Sequence, residues 1–167
     1  MNRRGRFVFV RVCLCLFVSH LLSFPVQAGS ENDYFRALVK KPIATKEDLA
    51  RVVARFKGYR GPASGDVAPE LQYLLDHGVQ FRKNAMRVIR EPVTKADAVL
   101  LFLNAMDAAA DQRGVMGRLF PRSLRFAARD GKAQRLLPAD SYIREYLSGA
   151  ELLAMLGRAI EQREKKR

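Results

Sequence analysis

Apolar residues recur at helical spacing along this chain, and the residues that flank each run are ones that begin or end helices. After Thr45, an inward-facing stripe follows the i, i+3, i+4, i+7 pattern with Leu49, Val52, Val53 and Phe56. Gly58 and the pair Gly61-Pro62 end this helix. Comparable runs predict further helices that begin near Ser30, Pro69, Thr94, Pro121 and Ser148. The pattern therefore predicts an all-α fold.

Glycine and proline residues also mark where the other predicted helices stop. The stops are Pro42 after the first short helix, Gly78 after the Pro69 helix and Gly131 after the Pro121 helix. An irregular link at residues 79–92 precedes the Thr94 helix, which runs into the alanines at 108–110. The Ser148 helix is predicted to fray into a charged tail at residues 161–167.

Three of these helices open with the same block, a hydroxyl residue followed three positions later by an acid. The blocks start 49 and 54 residues apart and are Thr45 to Asp48, Thr94 to Asp97 and Ser148 to Glu151. Each is typical of a capping box, in which the hydroxyl and the acid bond to each other's backbone amides. A second set of residues recurs at a constant offset of 53, matching Leu71, Tyr73 and Gly78 to Leu124, Phe126 and Gly131. We therefore expect helix-loop-helix repeats packed into one compact domain, because one unit alone cannot bury its apolar face.

The first 28 residues have the features of a secretory signal. Three arginines stand within the first six residues, residues 12–22 are almost entirely apolar, and cleavage is expected after Ala28. The alternative is an uncleaved membrane anchor, although the apolar stretch at residues 7–24 contains Arg11 and is shorter than the roughly 20 residues that a span needs. The predicted organisation is a signal peptide at 1–28, a repeat domain at 29–160 and a charged tail at 161–167.

Charge and cysteine content narrow the classes of partner and cofactor. The formal net charge is +13, and removing the signal segment with its four arginines leaves +9. In an exported protein that surplus favours an acidic envelope polymer, anionic lipid head groups or an acidic partner over nucleic acid, although basic residues also simply solvate helix faces. Both cysteines, Cys13 and Cys15, lie in the signal segment, so the mature chain is predicted to have no disulfide and no thiolate metal site.

Residues 45–160 resemble the S-layer homology repeats. Repeats of that family pair a helix ending in glycine with a link and a second helix opened by a motif of the form Thr-Arg-Ala-Glu. Two stretches match this layout, from Gly78 to Asp97 and from Gly131 to Glu151. The resemblance implies helix-loop-helix prongs assembled as a pseudo-threefold spindle. It also implies noncovalent attachment to anionic secondary cell-wall polymers.

The chain departs from the family's pattern at the residue that carries the motif's positive charge. Lys46, Lys95 and Gly149 stand where the family has arginine, and the chain contains no tryptophan. Lysine keeps the charge but lacks the planar fork that grips a carboxylate or phosphate at two points. The resemblance therefore implies only Lys46 and Lys95 as candidate ligand contacts. The first repeat also lacks its leading helix and link, which the short Ser30 segment replaces.

A second candidate for anion binding is a stripe of arginines. Arg122, Arg125 and Arg129 follow an i, i+3, i+7 spacing on the Pro121 helix, and the charge continues at both ends with Arg118, Lys132 and Arg135. Like charges at this spacing destabilise an isolated helix slightly, so an anionic ligand would relieve the repulsion. The alternative is a solvated face that Asp130 and Glu145 partly neutralise.

Residues able to support catalysis or hold a metal are nearly lacking in the sequence. His77 is the only histidine after the signal segment, and its place before Gly78 favours a role at a helix C-terminus. Thr94 and Asp97 are accounted for by helix capping. We therefore expect no metal, no cofactor and no enzymatic activity. The predicted function is an exported, periplasmic or envelope-associated binding or assembly module. The alternative is a structural subunit that docks another envelope protein, and an enzyme of unrecognised type has no residues behind it.

Overall fold

The computed structural model describes residues 28–62, 65–81, 85–106 and 115–165. Within these ranges the chain forms helices and no strand: α1 (Ala28–Val39), α2 (Lys46–Lys57), α3 (Ala68–Asp76), a 3₁₀ turn (Met86–Val88), α4 (Lys95–Ala105), α5 (Val115–Leu119), α6 (Leu124–Ala133) and α7 (Gly149–Glu164). The predicted all-α class is confirmed. Residues 1–27 of the predicted signal segment and the alanines at 108–110 lie outside the described residues, and Ala28 begins α1.

The three predicted caps open α2, α4 and α7. The Thr45 hydroxyl accepts a hydrogen bond from the Asp48 amide (3.3 Å), and the Asp48 carboxylate accepts one from the Thr45 amide (2.9 Å). Reciprocal bonds of 3.2 and 2.9 Å form the box of Ser148 and Glu151. At the third cap, the Thr94 hydroxyl accepts from the Asp97 amide (3.2 Å) and donates to its carboxylate (2.7 Å). These local contacts are the ones the sequence pattern predicts.

The residues just before the three caps form a closed ring of backbone hydrogen bonds. The Ala44 amide donates to Leu147 (2.7 Å), the Leu147 amide to Val93 (3.0 Å), and the Val93 amide to Ala44 (3.0 Å). All three residues are buried. Each segment therefore donates to one neighbour and accepts from the other, which places the three caps around a common centre. We call this set of three residues the backbone ring.

Apolar side chains from the helices around the backbone ring form a single core. Most of α4 is buried on every side, which explains why its sequence shows little amphipathic pattern. Phe102 of α4 meets Phe56 of α2 edge to face, with ring centroids 6.0 Å apart. The long α7 closes the core with Leu152, Met155 and Ala159. The three capped helices thus share one interior, as stacked repeat units require.

The predicted offset of 53 residues between α3 and α6 is wrong by one helical turn. Gly78 follows α3 in the left-handed conformation (φ 74°), as expected, but Gly131 lies inside α6 and does not end it. The left-handed residue after α6 is Arg135 (φ 59°). The amide after each left-handed residue bonds five residues back, Val79 to Leu74 (2.9 Å) and Leu136 to Gly131 (2.8 Å), which makes the true offset 57. The last link is therefore shorter than the link at 79–92.

Gly131 is required for packing. A Cβ atom at this position would overlap the side chain of Val99, because α6 lies directly against α4 there. Tertiary contact therefore accounts for this glycine, where a helix stop was predicted from sequence.

Several predicted boundaries also change. The α6 helix begins at Leu124 with Ser123 as its N-cap, so Pro121 lies in the preceding turn and does not open the helix. The last helix continues to Glu164, so it extends into the predicted tail. Within that extension the Arg163 guanidinium donates to the Phe56 carbonyl (2.9 Å) and lies 4.7 Å from the centre of the Phe56 ring. The start of the tail therefore packs against α2.

Candidate functional site

Lys46 and Lys95, the two candidate contacts from the family motif, occupy equivalent places. Each is the first residue of its helix, and each ammonium group donates to a glutamate of the neighbouring segment at 2.6 Å, Glu91 for Lys46 and Glu145 for Lys95. Lys95 also lies 3.1 Å from the Glu151 carboxylate. The hydrogen bond to Glu145 is the main cause that raises the pKa of Lys95. Both cations are therefore neutralised within the protein, which weakens them as contacts for an external anion.

The third equivalent position, Gly149, has a steric reason for lacking a side chain. Its amide donates to the Lys41 carbonyl (3.0 Å), just as the Lys46 and Lys95 amides donate to Glu91 and Glu145. A Cβ atom on Gly149 would overlap the backbone carbonyl oxygen of Leu38 at the end of α1. The helix α1 therefore occupies the space that a motif arginine would need.

An apolar cavity lies beside Lys46, between α2, α3 and α4. It has a volume of about 140 Å³, and Lys46 and Asp97 are the charged residues in a wall that also includes Leu49, Leu71, Phe81, Ile89, Leu100 and Leu101. Its position is set by the backbone bond from the Glu47 amide to the Ile89 carbonyl (2.8 Å).

A groove with different chemistry occupies the equivalent place in the next unit. The Ala96 amide bonds to the Ile143 carbonyl (3.1 Å), so Ile143 corresponds to Ile89, and the offset of 57 pairs Leu71 with Ala128. We call it the α6 groove; its volume is about 370 Å³, and its walls are Arg125, Phe126, Ala128, Arg129, Lys132 and Ile143. A volume of this order lies in the range of small-molecule sites. Three cations and one aromatic ring converge here.

The α6 groove brings together two of the three arginines that the sequence singled out. Arg125 and Arg129 line it, whereas Arg122 is exposed in the turn before α6. The Arg129 guanidinium lies 5.8 Å from the centre of the Phe126 ring, and its nearest acid, Asp130, is 3.8 Å away. Within the described part of the chain, Arg125 pairs with no acid. The groove therefore offers cations that can reach an external anion, unlike Lys46 and Lys95.

Sequence reasoning missed Phe126 and Ile143 as walls of the groove. Phe126 was matched to Tyr73 through the incorrect offset, and Ile143 was placed in an irregular link. The recurring isoleucine in each link, Ile89 and Ile143, was the available signal, because it recurs at 54 residues, as do the cap blocks that start at Thr94 and Ser148.

A buried carboxylate at the start of α2 predicts acid sensitivity. Burial of Asp48 raises the pKa of its carboxyl group, but hydrogen bonds from Lys41 (2.7 Å) and from Thr45 outweigh that effect and hold the pKa below 3.8. The stabilisation is therefore present above the unfolded-state pKa near 3.8 and is lost as pH falls through the lower folded-state value. We expect the free energy of unfolding to decrease between about pH 5 and pH 2, in the window that this linkage defines.

Urea denaturation at stepped pH measures this effect. The Asp48→Asn protein should be less stable than the wild type at pH 7, and its stability should change less between pH 5 and pH 3, because the titrating group is gone. Equal pH slopes for the two proteins would contradict the role assigned to Asp48.

Groups for chemistry are sparse in the described residues. His77 is the C-cap of α3, where its Nδ1 atom is 2.8 Å from the Tyr73 carbonyl oxygen and its ring lies 3.9 Å from the Tyr73 ring. Over the ranges described, no group of three histidine, cysteine or acidic side chains is placed to hold a metal ion. The helices of that same part of the chain include none with the length and apolar character to cross a bilayer.

Comparison with known protein families, curated proteins and solved structures finds no match for this chain. The class that the fold defines is thus an all-α protein whose three capped helices meet at one backbone ring.

Proposed function

We propose that this chain is an exported, non-enzymatic module of three S-layer-homology-like units that attaches to an acidic component of the cell envelope. The observation that carries the proposal is the α6 groove, in which Arg125, Arg129 and Lys132 surround an apolar floor. The backbone ring supports the repeat assignment, because three equivalent cap segments bond in a closed cycle, as a pseudo-threefold spindle requires.

The groove suits a polymer with repeated acidic groups. Guanidinium groups bind carboxylate or phosphate through two parallel hydrogen bonds, so Arg125 and Arg129 supply the geometry that the lysines at the other junctions lack. They stand one helical turn apart, so one anionic chain can contact both. The Phe126 ring packs beside the Arg129 guanidinium and offers an apolar surface to the ligand.

Sedimentation with envelope material tests this proposal. The wild-type protein should sediment with an anionic polymer fraction at low salt and be released as ionic strength rises, because exposed charges are screened over about 10 Å at 0.1 M salt. Changing Arg122, Arg125 and Arg129 together to glutamine should weaken binding by at least about tenfold, the equivalent of a single lost charge-assisted contact.

The matched control removes three exposed arginines elsewhere. Arg60, Arg87 and Arg90 are exposed and lie outside the groove, so their triple change to glutamine alters net charge equally. Binding should then fall much less than in the groove variant. Equal losses would show that net charge alone drives attachment, and unchanged sedimentation of the groove variant would overturn the proposal.

A further inference from the structure

An exposed apolar surface adjoins the basic face of α6. Its members are Val115, Met116, Leu119 and Phe120, and the exposed fractions of these residues are 68%, 41%, 65% and 52%. We call them the α5 patch. Large apolar side chains that stand alone on a surface are ordinary, but four within six residues form a contiguous patch of the kind that marks an interaction site.

The residues that surround the α5 patch are uniformly basic. Residues 115–135 contain six basic residues and one acid, Asp130. That acid is only 5% exposed, so the surface of this stretch presents positive charge without a compensating negative one. Arg122, Arg125 and Arg129 are exposed beside the patch.

Aromatic contacts join the apolar and the basic parts into one surface. The ring of Phe120 stacks on the ring of Phe126, with centroids 5.7 Å apart and an interplanar angle of 26°. Arg129 lies 5.8 Å from the centre of that same Phe126 ring. Gly117 and Phe120 also pack near Ala127 of α6, which fixes the orientation of α5 relative to the arginines.

We propose that the α5 patch inserts into the interfacial region of an anionic lipid bilayer while the arginines of α6 contact its head groups. The inference rests on the proposed attachment and names its partner. Charge complementarity selects a bilayer, because the basic rim requires a partner that is negative throughout, and the patch requires an apolar layer directly beneath that charge. An anionic lipid surface supplies both in this order, and amphipathic elements bury their apolar faces about 5–10 Å deep in it. Arginine stems also cover apolar surface while their heads stay at the polar level.

A single introduced tryptophan reports insertion locally, because the chain contains none. The probe is vesicles of phosphatidylcholine with or without phosphatidylglycerol, added to the full chain carrying Leu119→Trp. We expect the emission to shift to the blue and to be quenched by brominated lipid with phosphatidylglycerol vesicles, and to stay unchanged with phosphatidylcholine alone. Leu75→Trp on α3, where Leu75 is 53% exposed, is the matched probe and should remain unchanged with both vesicles. This readout is independent of any contribution from residues 1–27 to vesicle binding.

Two further variants separate this inference from the proposed function. In the Leu119→Trp background, changing Arg122, Arg125 and Arg129 to glutamine should abolish the lipid-dependent shift. The Val115→Ser, Leu119→Ser protein should keep its affinity for the anionic polymer fraction within about twofold, because neither residue lines the α6 groove.

The outcomes are distinct. A silent Leu119→Trp probe with normal polymer binding would overturn the lipid inference and leave the proposed function standing. An equal shift with uncharged vesicles would overturn the role of the arginines. Crosslinking from the α5 patch to one discrete protein partner, with no vesicle response, would replace the bilayer by a protein. Loss of polymer binding in the Val115→Ser, Leu119→Ser protein would contradict the division between groove and patch.

Discussion

Replacing Gly149 with alanine is expected to lower the free energy of unfolding by about 3 kcal/mol, at the upper end of the usual cost of overpacking. The added Cβ atom would overlap the carbonyl oxygen of Leu38. That obstacle is backbone, so it cannot rotate aside as a side chain can, and α1 must move away from α7. Such a movement would also strain the hydrogen bond from the Gly149 amide to the Lys41 carbonyl. Urea denaturation followed by circular dichroism measures the loss.

The same helix offers a matched control. Gly157 is an exposed residue of α7, and a Cβ atom there would have no heavy atom within 4 Å. Gly157→Ala should therefore raise stability by up to about 1 kcal/mol, since alanine favours the helix. If Gly149→Ala were as stable as the wild type, α1 would not be held against the start of α7 as the structure has it.

The Gly149 result bears on the site as well as on stability. A family-type arginine cannot be accommodated at this position without displacing α1, so the third junction cannot carry the cation that the first two carry. Lys41 lies nearby, but its ammonium group is bound to Asp48 at 2.7 Å. The three junctions are therefore equivalent in their backbone bonds and unequal in their charges.

Local features of the fold were predictable from the sequence, because each depends on a few adjacent residues. A hydroxyl and an acid three positions apart form a cap in almost any context, and Thr45, Thr94 and Ser148 all do so. Gly78 ends its helix through its own positive φ. Gly131 was misread because a glycine required for contact with Val99 has the same sequence appearance as a helix stop.

The candidate site depended on contacts between residues that are distant in sequence. Lys46 and Glu91 are 45 residues apart and Lys95 and Glu145 are 50 apart, so composition could show a basic surplus but not which cations are neutralised. The arginine stripe was visible as spacing, but its apolar floor came from Ile143 in a link with no regular pattern. The α5 patch was also missed, since a five-residue helix is too short to show an amphipathic period.

Removing the carboxylate of Glu70 is the second substitution expected to have a large effect. Glu70 is 1% exposed and lies 3.8 Å from Arg51 and 3.5 Å from Arg55, whose side chains are 5% and 9% exposed. Arg51 also donates to the carbonyl of Gly65 (2.5 Å) and Arg55 to that of Gly61 (3.1 Å). The cluster therefore connects α2, α3 and the segment between them through buried charges.

Glu70→Gln should destabilise the protein by about 3 kcal/mol, because two buried guanidinium groups then lose their shared counter-charge while the volume of the side chain is kept. The exposed pair of Asp33 and Arg36, 3.7 Å apart with side chains 75% and 80% exposed, gives the comparison. Asp33→Asn should change stability by less than about 0.5 kcal/mol, since water screens such a pair. Urea denaturation of both variants at neutral pH measures the difference. Equal effects would mean that the Glu70 cluster is hydrated, and that the close packing of α2 against α3 does not depend on the charge.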